Sequence, residues 1–156
     1  MRRNDRQITS TEKIIEIIKK CKIIRIALQD KDGLYIVPMN FGFTCEKGEL
    51  CFYLHSAVEG RKVAAFAENP CVAFELDCDH QLTEAEIPCG FGYNFSSVVG
   101  NGRIELLNGT ADKISALTLL MQHQTGKSFV FTEQMTKGVN VYRLKADDFS
   151  AKQRMK

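Results

Sequence analysis

The chain has 156 residues, 44% of them hydrophobic, and its 21 basic and 19 acidic side chains leave a formal net charge of +2. That length suits one domain, residues 1–156, with a real core, and that charge gives no field of one sign, so neither nucleic acid nor an anionic membrane surface is expected as a partner. No uncharged run approaches bilayer length and no apolar stretch follows the charged residues 1–6, so a cytoplasmic protein without a signal peptide is expected.

In chain order, Thr9 and Glu12 form a T-x-x-E capping box ahead of Ile14, Ile17, Ile18 and Cys21, whose spacing puts them on one face of a first helix. Residues 23–28 and 34–43 are extended segments joined across residues 29–33, where Asp32-Gly33 supplies the turn chemistry of an antiparallel hairpin. Pro38 lies inside the second segment. A proline cannot donate to a sheet ladder, so that strand is at an edge, bulged or broken there. The backbone around Met39 and Asn40 is then free to bond something other than a strand, and the Asn40 side chain adds a donor and an acceptor. A proline that protects an edge from aggregation explains the same residue.

Leu50, Cys51, Phe52, Tyr53 and Leu54 follow the Lys47-Gly48 turn as a buried or half-buried strand, which His55-Ser56-Ala57 breaks. After Gly60 the alanine-rich residues 61–67 form a short helix, stopped by Asn69-Pro70, and residues 71–76 are the next strand. Arg61 and Lys62 fall in the first helical turn, where the dipole and free N–H groups disfavour cations. A bound anion resolves that conflict. Free N–H groups, the Ser56 hydroxyl, a guanidinium and an ammonium suit a phosphate monoester. Two solvated charges at a frayed helix start are the alternative.

Residues 77–92 read as a loop, and His80 among Asp77, Asp79 and Glu84 lacks metal-ligand spacing. The six cysteines are scattered without a C-x-x-C pair and read as small hydrophobes rather than disulfides or zinc ligands. Residues 93–107 are the longest extended segment, with Gly100 and Gly102 suited to a bulge or bend. Neither Gly90-x-Gly92 nor Gly100-x-Gly102 makes a dinucleotide fingerprint. Thr110 caps a second helix to about Gln124, with Ile114, Leu117, Leu120 and Met121 on its apolar side and His123 at its end, where the dipole favours imidazolium. Residues 126–138 are irregular, with Phe129 and Phe131 as anchors. Residues 139–144 form a last strand before a basic tail.

Strands outnumber helices, which suggests one antiparallel barrel with helices outside it. Several ordered motifs go further. They are Arg2-Arg3-x-Asp5-Arg6, Tyr35-x-Val37-Pro38-x-Asn40-Phe41-Gly42, Phe52-Tyr53-x-His55-Ser56-Ala57-x-x-Gly60-Arg61-Lys62, Asn69-Pro70-x-Val72-x-Phe74-Glu75, Tyr93-x-x-x-Ser97-Val98-x-Gly100-x-Gly102 and Met121-x-His123-x-Thr125-Gly126. In these the chain resembles the flavin-binding split barrels related to pyridoxamine 5'-phosphate oxidase and, within them, the nitroimidazole-resistance (Nim) proteins.

The resemblance implies a mainly β fold with some α, an antiparallel six-stranded split β-barrel with peripheral helices, and a homodimer with FMN at its interface. It implies that Arg61, Lys62 and Ser56 hold the FMN phosphate, that Pro38, Met39 and Asn40 lie against the isoalloxazine ring, and that Ser97 and Val98 contact the cofactor. His55 takes the position of a functional histidine near the flavin and is the candidate catalytic residue, with a structural histidine ending a strand as the alternative. The implied activity is an FMN-dependent flavin reductase or nitroreductase, with NADH or NADPH as electron donor and a small acceptor such as a nitroimidazole as substrate. A flavin- or haem-binding module with little turnover, with His55 as axial ligand in the haem case, is the alternative. The chain lacks the arginine-rich C-terminal segment of true pyridoxamine-phosphate oxidases, which argues against vitamin oxidation. Phe149-Ser150-Ala151-Lys152 lacks the glycine of the Nim pattern, so Lys152 receives no role.

Overall fold

The computed structural model describes residues 4–155; Arg2 and Arg3 of the first motif lie outside the described residues. A 3-10 turn, Asn4–Arg6, leads into strand β1 (Gln7–Ile8), helix α1 (Thr11–Lys20), β2 (Ile23–Asp30), β3 (Gly33–Asn40), β4 (Gly42–Glu46) and β5 (Glu49–Ser56). Helix α2 (Arg61–Glu68), β6 (Cys71–Thr83), β7 (Gly92–Leu106), α3 (Thr110–Thr125), α4 (Glu133–Thr136) and β8 (Asn140–Arg154) complete the chain. All strand pairs are antiparallel, in the order β3-β2-β6-β7-β8-β5-β4, with β1 added on β8.

The two edge strands, β3 and β4, are consecutive in sequence and meet at Phe41, so the sheet rolls into a split barrel with helices at its periphery. Phe41 is fully buried and packs on Phe52 at 5.5 Å between ring centroids, and Phe52 packs on Phe74 at 5.1 Å. These three aromatics fill the barrel. Helix α1 adds Ile14, Ile17 and Ile18 to the same core, on the face the sequence spacing indicated.

Eight strands are present among the described residues rather than six, because residues 34–43 divide at Phe41 into β3 and β4 and because β1 pairs with β8. β3 is an edge strand, as Pro38 requires. Several boundaries differ from expectation. Ser10, not Thr9, caps α1: its Oγ accepts from Lys13 N at 3.4 Å and donates to Glu12 Oε2 at 2.6 Å. Gly109, not Thr110, is the cap of α3, without a side-chain hydrogen bond. His55 and Ser56 continue β5 instead of breaking it.

Two strands are much longer than expected. Half of the anticipated loop over residues 77–92 is strand: β6 runs to Thr83 through a bulge between Cys78 and Gln81, with Asp79 at φ 60°. Its charges are paired rather than solvated. Asp77 meets Arg25 at 2.5 Å and His80 at 2.8 Å, and Asp79 meets Lys20 at 3.0 Å and Ser96 Oγ at 2.8 Å. Likewise β8 does not stop at Leu144 but reaches Arg154, held on one side by β7 and on the other by β5 and then β1. The register of β7 on β8 shifts at Asn101/Gly102, which confirms the bulge expected there. A Cβ on Gly100 would collide with Asp148 O and lie 2.6 Å from Phe74 Cζ, so glycine is required for close approach.

His123 lies at the end of α3 as expected, but its surroundings disfavour the imidazolium expected there. Its Nε2 donates to Cys21 O at 2.8 Å, and burial lowers its pKa, outweighing the opposing effect of that carbonyl. Phe131 packs on a small second core with Leu117 and Val141, whereas Phe129 is exposed.

Candidate functional site

Helix α2 starts at Gly60, whose φ of 133° is a conformation open to glycine, and no side chain caps it. Val63 N and Ala64 N both donate to Gly60 O, at 3.0 and 3.2 Å, so the N–H groups of Arg61 and Lys62 precede the first intrahelical bonds. The first turn contains no acidic residue. A positive helix end and two cationic side chains therefore coincide, as the sequence conflict indicated.

The side chains around this turn are engaged unequally. Arg61 donates from Nε to Asp30 Oδ2 at 2.6 Å and from Nη2 to Asp30 Oδ1 at 3.1 Å, and its guanidinium carbon stands 4.2 Å over the Tyr35 ring. Asp30 was not singled out in the sequence; it is the last residue of β2, and only the tertiary fold brings it here. The Arg61 guanidinium holds its carboxyl below the ordinary value. Lys62 is half-buried and makes no hydrogen bond or ion pair among the described residues. His55 is exposed at its surface edge, yet desolvation of the ring, and then the Lys62 ammonium, lower its pKa. Ser56 is buried, and its hydroxyl donates to Ala57 O at 2.7 Å, so it reaches an anion only by turning from that carbonyl. Asn140 Nδ2 donates to Val58 O at 3.3 Å and steadies the loop before α2.

The remaining candidates lie on the sheet. Strand alternation sends Met39 and Val98 into the core, so only their backbones can meet a ligand, while Pro38 is exposed. The Asn40 amide is committed to structure: Nδ2 donates to Lys22 O and Gln124 Oε1, both at 3.2 Å. Ser97 faces outward, opposite Asp77 on β6 and Lys152 on β8. It lines a 430 Å³ cavity with Gln7, Val99, Ser150 and Lys152, a residue the sequence left without a role.

Val99 also borders a 300 Å³ apolar cavity formed by Ala27, Ile36 and Ala73. The two cavities share Val99 and lie on the outer face of the sheet between β3 and β8. β3 and β7 are three strand spacings apart, about 14 Å. The structure thus sets His55 near Lys62, turns Arg61 to Asp30 and Tyr35 and Ser56 to Ala57 O, and places Pro38 and Ser97 on the outer sheet, with no hydrogen bond joining the groups among the described residues. Among those residues no cluster of three or more His, Cys, Asp or Glu side chains could hold a metal ion.

A family model described as pyridoxamine 5'-phosphate oxidase matches residues 10–153. The structure is similar to that of a candidate 5-nitroimidazole antibiotic resistance protein from Bacteroides thetaiotaomicron, with 26% identity, a TM-score of 0.82, and coverage of 94% of this chain and 86% of that one. The flavocytochrome Anf3 from Azotobacter vinelandii shares the fold at 19% identity and a TM-score of 0.79, covering 100% of this chain and 72% of that one. So does an FAD and haem binding protein from Mycobacterium smegmatis, at 18% identity and a TM-score of 0.80, covering 97% and 74%. No curated protein sequence matches. Among the described residues no helix is long and apolar enough to cross a membrane.

Proposed function

Because this chain belongs to the pyridoxamine 5'-phosphate oxidase family, we propose that it binds FMN and acts as an FMN-dependent oxidoreductase, a flavin reductase or nitroreductase that uses NADH or NADPH to reduce small acceptors such as nitroimidazoles. The observation that carries this reading is the uncapped, acid-free start of α2, where Arg61 and Lys62 stand beside free N–H groups. That donor set fits a phosphate dianion. A cationic first turn is otherwise unfavourable, and a bound anion reverses the sign of its effect.

FMN would supply the transfer of electrons from nicotinamide to acceptor. The chain's residues would bind and orient it. Lys62 and the first-turn N–H groups bind the phosphate with Arg61, and Ser56 joins them on leaving Ala57 O. The exposed Pro38 ring offers an apolar surface without a backbone donor, with the backbones of Met39 and Asn40 beside it. Ser97 Oγ offers a hydrogen bond from the outer sheet, with the Val98 backbone beside it. Desolvation and the Lys62 ammonium both disfavour the imidazolium of His55, so its ring favours the neutral form, with one N–H able to donate a hydrogen bond. Phosphate near Lys62 offsets the ammonium that suppresses the imidazolium, and His55 can then deliver a proton from ring nitrogen to a reduced acceptor.

The outer face of the sheet exposes Leu34 at 87%, Ile36 at 65% and Val99 at 48%, which a second copy of the chain would cover in a homodimer with FMN at the interface. The test is the visible spectrum of the purified protein, mass identification of what heat releases, and NADH- or NADPH-dependent reduction of a nitroimidazole. Released FMN and donor-dependent turnover are expected. A Soret band with no flavin uptake would sink this reading and leave His55 as the haem ligand to test.

A further inference from the structure

Resting on the phosphate-anchoring reading of Arg61, we infer that Asp30 and Tyr35 hold the Arg61 guanidinium in one orientation, which makes Asp30 a positioning residue that favours phosphorylated flavin over flavin without phosphate. A guanidinium has five N–H donors in a fixed plane. Asp30 takes the side edge, through Nε at 2.6 Å and Nη2 at 3.1 Å. Both hydrogens of Nη1 and the second of Nη2 are left over; the second of Nη2 and one of Nη1 lie along the end edge that makes paired contacts with phosphate oxygens. Tyr35, 4.2 Å from the guanidinium carbon, supports the plane from one face.

The holder is anchored more firmly than the group it holds. The Asp30 side chain is 7% exposed, against 47% for Arg61. Asp30 Oδ1 also accepts from Asp32 N at 2.9 Å, which pins the carboxylate to the two-residue turn between β2 and β3. A cavity of 380 Å³ opens against Arg61, Gly60 and Ala64, and the carboxylates of Asp30, Asp32 and Glu68 line it as well. A lysine in place of Arg61 could be attracted to Asp30 but not oriented by both its oxygens. Lys62, next in sequence, supplies a point charge without such a holder. Orientation comes from Asp30 and charge from both cations.

The opposite effect of Asp30 is also physical: a carboxylate beside the site repels phosphate and competes for the guanidinium. Substitution separates the two. Flavin-stripped protein is titrated with FMN and with riboflavin, which has the same ring and no phosphate, and ring fluorescence is followed. Wild type should prefer FMN. Asp30→Asn keeps an oxygen for Asp32 N but loses the ion pair, and it should weaken FMN by about tenfold while leaving riboflavin unchanged. Arg61→Lys, which leaves the Asp32 contact intact, should show the same selective loss. FMN binding that is unchanged or tighter in Asp30→Asn would overturn the inference in favour of competition. Equal weakening of both flavins would overturn it in favour of a structural role. A wild type that does not distinguish the two flavins would remove the phosphate-anchoring reading itself, and the inference with it.

Discussion

The imidazole of His123 lies 4.6 Å from the ring of Phe41, centroid to centroid, and so ties the last turn of α3 to the residue where β3 passes into β4. The ring is neutral and donates to Cys21 O, and burial lowers its pKa from the ordinary 6.5. The unfolded chain therefore binds the proton more readily than the folded one. The stabilisation is fully present above pH 6.5 and is lost as pH falls through the lower, folded value. Urea unfolding at pH 7.5 and pH 5 should show a loss of stability on acidification that shrinks in His123→Ala. At pH 7.5 that variant should itself be less stable by about 1–3 kcal/mol, from the lost hydrogen bond and ring packing.

His55 also has a lowered pKa, from desolvation and then the Lys62 ammonium, without the opposing carbonyl contact that His123 makes. Inorganic phosphate or FMN should raise its pKa by offsetting that ammonium. An NMR titration of the imidazole with and without phosphate measures this directly, and Lys62→Gln should produce a rise without ligand. Replacing His55 with Gln should lower acceptor turnover more than flavin retention.

Gly100→Ala should destabilise the barrel by about 1–3 kcal/mol, because the new methyl meets the β8 backbone and Phe74 at a bulge that cannot widen without repacking. Gly138→Ala has open space and should change unfolding free energy by less than about 0.5 kcal/mol. Chemical denaturation of the pair tests the close approach of β7 to β8.

Ile36→Glu places a charge in the exposed apolar cavity and should convert a homodimer to monomer, read by sedimentation velocity. Flavin retention should fall with it. A monomeric wild type that still holds flavin at full occupancy would contradict the interface proposed for FMN.

Much of the barrel is legible in the sequence where alternation is clean. Residues 23–28 and 93–107 follow the two-residue period, and Pro38 announces an edge strand. The far ends of β6 and β8 are not legible, because Asp77 and Asp79 look solvated until Arg25 and Lys20 arrive from β2 and α1. The same limit applies at the site. Arg61 and Lys62 announce themselves locally, by violating the charge preference of a helix start, whereas Asp30 and Tyr35 reach Arg61 only through the folded sheet. Asn40 shows the converse. It looked like a ligand donor, but its amide nitrogen binds α3 and the segment before β2.

The most direct measurement is the flavin content of purified wild type and of Arg61→Ala/Lys62→Ala, after saturation with FMN and removal of excess. The two side chains are outside the main core, so the variant should keep its thermal stability within a few degrees. Near-stoichiometric FMN in wild type and almost none in a folded variant is the predicted result. Full FMN occupancy in the variant, or no uptake by wild type, would contradict the assignment of the start of α2 as the phosphate site.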